Sequence, residues 1–259
     1  MKTIVFASVL SLCALPSFGQ GVPERLNDKD VKTLIDQVDE GRDRFEDSLD
    51  GALKSATLRR PTGETKVSGA LQDYQDNTKK LKDRFSSDYS ASAEVTTVLE
   101  QSAAIDLFMR NQKADMKGRS EWDNQVTIVR RLAGAYGTTF HMPAGGSARR
   151  MNDKETAAAA AELAAAANNF KDDVNKVQAI PKPARDAAKK DVELLIKQAN
   201  AVKSRAGDGK PATAELRQLI DQIAKVQAFA GANPLVPTGN WQKVQAQVDK
   251  LELAFGLTQ

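Results

Sequence analysis

Apolar residues recur every three or four positions along almost the whole chain, and no stretch sustains the alternation of a strand. That period lines side chains along one stripe of a helix, and such stripes are buried by packing helix on helix. The expected fold class is therefore all-α. A first helix from about 28 to 56 carries Val31, Leu34, Ile35, Val38, Phe45, Leu49, Ala52 and Leu53. A second, after the break Arg60-Pro61-Thr62-Gly63, carries Val67, Leu71, Tyr74, Thr78, Leu81 and Phe85. A third carries Val95, Val98, Leu99, Ser102, Ile105, Phe108 and Met109. A fourth carries Trp122, Val126, Val129, Leu132, Ala133 and Tyr136, with Ser120 as its expected N-cap, Asp123 as the capping-box partner, and Gly137 suited to the left-handed residue after its end.

The pattern stops between Thr138 and Met151, where Pro143, Gly145, Gly146 and Ser147 read as a linker. Asn152 and Glu155 then open a second set of four helices, at about 153–178, 183–205, 212–230 and 239–255. The two sets correspond. Trp122, Val129, Leu132, Tyr136 and Gly137 each meet an equivalent 119 residues on, at Trp241, Val248, Leu251, Phe255 and Gly256. The preceding helices align at an offset of 121, so that Leu71, Tyr74, Thr78 and Leu81 meet Val192, Leu195, Ala199 and Val202. The first helices match more weakly, with Phe45 meeting Phe170 and Leu49 meeting Val174 at 125. Short connections make neighbouring helices antiparallel. The expectation is two tandem four-helix up-down-up-down bundles related by internal duplication, at 20–137 and 153–259, joined by a linker at 138–152. The alanine-rich tract Ala157–Ala167 is expected to pack closely against a neighbouring helix.

The N-terminus has the three parts of a secretory signal: Lys2, an apolar run from Ile4 to Leu15, and Pro16-Ser17-Phe18-Gly19 with small residues where cleavage requires them. Residues 1–19 are read as a signal peptide, and the protein as exported to the periplasm or beyond the cell. The single cysteine, Cys13, lies in that signal, so no disulfide is expected in the remainder. The signal carries only Lys2 as a charged side chain, so the remainder has 36 basic and 34 acidic side chains, interspersed. That balance gives no electrostatic footprint for nucleic acid.

Few catalytic chemistries are open to such a chain. Its only histidine, His141, stands in the linker, a poor scaffold for a triad. One histidine cannot build a zinc site of several His or Cys ligands, nor the two Glu-x-x-His pairs of a di-iron bundle. His141, Met142 and Met151 offer groups that suit Cu(I). The plainer reading is a loop whose Phe140 and Met142 pack against a bundle end, and no cofactor or metal is expected. The many paired carboxylates lie among lysines and arginines at helical spacing and read as solvated helix faces. Trp122 and Trp241 are expected in the core. No catalytic or cofactor-binding residue is assigned. The linker has no acidic residue and carries Phe140, His141, Met142, Arg149 and Arg150, which makes those five the candidate partner contacts.

The signal peptide, the Trp-opened closing helix and the run Leu132-Ala133-Gly134-Ala135-Tyr136-Gly137 resemble uncharacterised exported helical-bundle proteins of bacteria. That resemblance implies a helical bundle and export, and brings no activity or site residue. The expected function is a non-enzymatic helical module of the cell envelope or exterior, contacting an unknown protein or envelope component or acting as a spacer. The alternative is a carrier of an apolar ligand or a bundle lying on a membrane surface. Amphipathic helices permit membrane association, but the narrow seams favour a closed bundle.

Overall fold

The computed structural model describes residues 26–60, 63–113, 115–143 and 145–255. The signal-peptide assignment, residues 1–19, lies outside them. The chain is mostly helical. Its elements are α1 (Asp28–Ser48), α2 (Gly51–Ser55), β1 (Thr57–Arg60), β2 (Gly63–Lys66), α3 (Val67–Arg84), α4 (Ser92–Arg110), α5 (Arg119–Ala135), α6 (Asp153–Lys176), α7 (Lys182–Gly207), α8 (Thr213–Ala232) and α9 (Gly239–Phe255).

Three local expectations need correction. The first helix stops at Ser48 rather than running on, because Leu49 is extended and Asp50 starts a new turn by accepting the Leu53 N–H at 2.9 Å. Ala52 is consequently exposed. The chain is not free of strands: β1 and β2 form an antiparallel hairpin with Arg60 opposite Gly63. Only Leu58 of that hairpin is buried, so the run is too short for alternation to register. Finally, α5 is preceded by Gly118 in the left-handed region at φ 82°, and Ser120 lies inside the helix. A side chain at 118 would also collide with Ser48 and Leu49. The other capping expectation holds. Asn152 accepts the Glu155 N–H at 2.7 Å and Glu155 accepts the Asn152 N–H at 2.8 Å.

Helix α1 packs against α3 and α5, and α4 against the same two; α6 packs against α7 and α9, and α8 against the same two. The buried side chains fall into two clusters. One is drawn from Val31 to Ala148 and centres on Phe45, Tyr74, Leu81, Ile105, Trp122 and Leu132. The other is drawn from Ala159 to Phe255 and centres on Leu163, Phe170, Leu195, Leu219, Trp241 and Leu251. Both tryptophans are in the core, as their stripe positions require. The alanines of α6 turn inward at Ala159, Ala160, Ala164, Ala166 and Ala167. No described helix is long and apolar enough to cross a membrane.

The first cluster contains a polar layer that crosses it from helix to helix. Gln125 on α5 donates through Nε2 to Val38 O on α1 and to the Tyr74 hydroxyl on α3, each at 2.9 Å. That hydroxyl is also within hydrogen-bonding reach of Ser102 on α4. Ser102 Oγ in turn donates to Val98 O at 2.8 Å. Burial pushes the Tyr74 phenol above its ordinary pKa, and the hydrogen bonds of Ser102 and Gln125 oppose the shift. Buried polar groups satisfied in this way fix helix register, because a one-turn slip would strand each of them. Arg42, 2% exposed, pairs with Glu46 at 2.8 Å and with Asp43 beside the same layer.

The layer needs a bare backbone at Gly41, where a Cβ would collide with Gln125 Oε1. Gly41→Ala is therefore expected to lower stability by about 1–3 kcal/mol, the range for overpacking a core. Chemical denaturation measures it. An unchanged midpoint would mean that Gln125 can move aside without loss.

Candidate functional site: the strap and the helix junction

Residues 138–152 are expected as a linker, with Phe140 and Met142 packed against a bundle end. They form a strap fastened along its length. The strap leaves α5 through Gly137 at φ 61°, with Thr138 N–H on Ala133 O and Gly137 N–H on Gly134 O, each at 3.1 Å. This is the paired-bond ending that a glycine after a helix permits. Phe140 then enters the first core and Met142 packs partly against it.

His141 follows at φ 63°, a conformation that a side chain rarely adopts. Its Nε2 lies 2.8 Å from Asp106 Oδ2. Asp106 is buried and its other oxygen accepts the Trp122 indole N–H at 2.9 Å. Arg110 Nε adds a third partner at 2.8 Å. The single histidine of the chain therefore pegs the strap to α4 and α5, rather than standing free in solvent. Imidazole and carboxylate are in contact, but the ring nitrogen facing Asp106 is committed to that bond.

Past a turn closed by Gly146 N–H on Pro143 O at 2.8 Å, the strap runs back toward the start of α4. Ala148 N–H donates to Thr96 Oγ1 at 2.9 Å and Arg150 N–H to Ser92 Oγ at 3.2 Å. The Arg150 side chain is fully buried. It donates to Ala135 O at the end of α5 (3.3 Å) and to Leu26 O before α1 (2.7 Å), and pairs with Asp28 Oδ1 at 2.7 Å. One guanidinium thus gathers a helix end, a helix start and the strap. Beside it, the Tyr136 hydroxyl donates to Ser90 O at 2.6 Å, and burial holds that phenol far above its usual pKa.

The strap delivers α6 directly against α1. Asp28 Oδ2 accepts the Asp153 N–H at 2.8 Å, and Asp153 Oδ2 accepts the Asp28 N–H at 2.9 Å. Two helix N-termini face each other, and each carries an acid that satisfies a free N–H of the other. Carboxylates at such ends are favoured by the unpaired N–H groups and by the helix dipoles. Lys154 adds a surface pair with Asp88 at 2.6 Å. That ammonium lowers the Asp88 carboxyl below its ordinary pKa. The pair is exposed on both sides and contributes little to stability.

The five candidate contacts therefore divide. Phe140 and Arg150 are buried and serve the fold; Met142 is half-buried; His141 and Arg149 reach solvent. Arg149 is the basic strap residue most open to a partner. Of the groups that suit Cu(I), Met142 packs on the first cluster, Met151 on the second, and His141 Nε2 is bonded to Asp106. Among the described residues, no group of three or more His, Cys, Asp or Glu is placed to hold a metal ion. A shallow groove of about 280 Å³ lies between α6 and α9, bordered by Glu162, Ala165, Asn169, Lys243 and Gln247. The residues that organise the site, Asp28, Asp106 and Asp153, carried no motif. Only the N-cap pattern at Asn152 hinted at the last. The chain matches no family model, no curated protein and no solved structure.

Replacing Arg150 removes three side-chain bonds at once and strands two carbonyls. Arg150→Met should cost about 2–4 kcal/mol, less than a fully buried ion pair because Asp28 keeps some solvent. Hydrogen exchange in 138–152 should accelerate in the same variant. Arg149→Met should stay within about 0.5 kcal/mol of the parent. Equal effects at 149 and 150 would contradict the assignment of Arg150 as the anchor.

Proposed function

We propose that this chain is an exported, non-enzymatic module, made of two copies of one four-helix up-down-up-down unit and clamped head to head. It would act by shape, as a spacer or as a rigid surface for a protein or envelope component.

The duplication is supported by side-chain roles, beyond shared periodicity. Phe45 stacks on Trp122 at 4.8 Å and a 50° tilt, and Phe170 on Trp241 at 5.2 Å and 46°. The Trp122 indole donates to Asp106, and the Trp241 indole donates at 2.5 Å to Gln227, the position 121 residues after Asp106. Asn27 and Asn152, 125 apart, cap α1 and α6 in the same way. The buried positions of α6 also follow those of α1 at 125: Thr156, Ala159, Ala160, Leu163, Ala166, Ala167 and Phe170 after Val31, Leu34, Ile35, Val38, Gly41, Arg42 and Phe45. The poor match of these two helices in sequence is thus a change of side-chain size at retained positions.

The observation that carries the functional reading is the reciprocal Asp28–Asp153 contact. A flexible tether would let two domains seek partners independently. Here the strap and both helix starts are tied down, and what remains at the surface is mixed charge on helix faces. Among the described residues, the few large apolar side chains that stay exposed, Tyr89, Leu107, Leu194 and Leu235, are scattered over α4, α7 and two separate connections. A carrier would instead hold its ligand between loosened helices.

Two measurements test the proposal. Expressed with its leader in a bacterial host, the protein should be recovered outside the cytoplasm with an N-terminus at Gln20. Solvent extraction of that material should yield no stoichiometric lipid, and the protein should not float with liposomes. A co-purifying apolar ligand at one per chain would replace this reading with that of a carrier.

A further inference from the structure

The strap of the first half lies along one stripe of α4. It is bonded there to Ser92, Thr96 and Asp106, and these three, with Leu99 and Ala103 between them, recur every three or four residues on a single helix face. Along that stripe Leu99 is 1% exposed and Asp106 4%. The strap is held there largely by its backbone. N–H groups of Ala148, Arg150 and Arg149 donate to Thr96 Oγ1, Ser92 Oγ and Tyr136 O. Phe140 and Ala148 are the apolar side chains it buries.

The proposed duplication, 121 residues on, sets Arg217, Ile220, Ala224 and Gln227 of α8 in the places of Thr96, Leu99, Ala103 and Asp106. Both stripes border the closing helix of their half, since Asp106 accepts the Trp122 indole N–H and Gln227 that of Trp241. The described residues end with α9, and the α8 stripe lies open: Arg217, Ala224 and Gln227 are exposed, and Ile220 is half-buried where Leu99 is buried. The closing helices show the same change. Val126 and Ala133 are buried on α5, whereas Gln245 and Glu252, 119 residues on, are half-buried on α9. Gln245 bonds Gln227 across the seam. The α8–α9 seam is thus a groove with no strap over it among the described residues.

Its two walls differ in chemistry. On α8, Gln227 commits its oxygen to Trp241 and Gln245, so it offers amide N–H groups, and Arg217 offers a guanidinium. On α9, Gln245 has donated through Nε2, so it offers its oxygen, and Glu252 adds a carboxyl group pushed above its ordinary pKa by burial and by the Asp249 charge. An extended backbone carries N–H and C=O groups along both edges and can meet donors on one wall and acceptors on the other. A helix has its backbone groups bonded internally, and a lipid chain would cover these polar groups without replacing their water. We infer that the α8–α9 groove docks an extended, strap-like segment of a partner protein, which seats an apolar side chain on Ile220 and Ala224 and bonds through its backbone to Gln227, Arg217 and the α9 wall. This names the partner surface of the module proposed above and rests on its duplicated plan.

Selection on the purified protein from a displayed library of random peptides as long as the strap tests this. Peptides with a bulky apolar residue are expected, bound in an extended conformation by nuclear magnetic resonance. Ala224→Arg, at an exposed position, should weaken their binding about tenfold, and Leu107→Arg in the first half should leave it unchanged. Arg217→Glu serves as the second variant should Ala224→Arg fail to fold. A library that yields no binder would overturn the inference. So would binders that are helical when bound, or that both groove variants leave untouched. Failure of the wider reading shows differently, as lipid recovered on solvent extraction or as protein retained in the cytoplasm.

Discussion

The geometry of this molecule depends on the buried guanidinium of Arg150 and the two helix starts around it. Arg150 cannot be placed inside protein without partners for its charge and donors, because an unpaired buried cation is prohibitively unstable. Its partners are Asp28 and the carbonyls of Leu26 and Ala135. Satisfying it therefore brings the start of α1, the end of α5 and the strap to one point. Asn152 and Asp153 follow after only Met151, so α6 has to begin there too. The reciprocal bonds between Asp28 and Asp153 are the consequence, and they fill orphan N–H groups that helix starts always carry.

A second constraint acts within the two cores. Where the first half has Tyr74, Ser102 and Gln125, the proposed duplication places Leu195, Ile223 and Val244 in the second. The first core is braced by directional bonds across α1, α3, α4 and α5; in the second, Gln222 on α8 donates to Asp191 on α7, and the rest relies on shape and on the small inward side chains of α6. Directional bonds specify register; apolar packing contributes stability with less discrimination. Neither core is helped by a disulfide, since Cys13 is the only cysteine. The burden of order falls on packing, caps and these few polar contacts.

Much of this was legible in the sequence, and the exceptions have physical causes. The long helices, both tryptophans and the Asn152 cap followed from period and position. Arg42 did not, although the stripe of α1 has a gap between Val38 and Phe45 that only Gly41 and Arg42 can fill. A buried arginine is unusual enough that pattern reasoning passes over it. The hairpin at Thr57–Lys66 escaped notice because one buried leucine makes no alternation. The strap reads as a linker because glycine, proline and missing periodicity mark irregular backbone, which need not be mobile backbone. What fastens it are hydrogen bonds to Asp106, Thr96, Ser92 and Asp28, far away in sequence and silent in any local pattern.

The central claim is that the two units are held in one fixed relation. It is tested most directly by a distance measurement across the junction. Spin labels at Lys79→Cys on α3 and Asn200→Cys on α7 sit on exposed positions, one on each side of the junction, in a chain whose single cysteine is Cys13. Double electron–electron resonance on the protein without residues 1–19 should give one narrow distance distribution. A broad distribution, from two units tumbling about a flexible connector, would contradict the account.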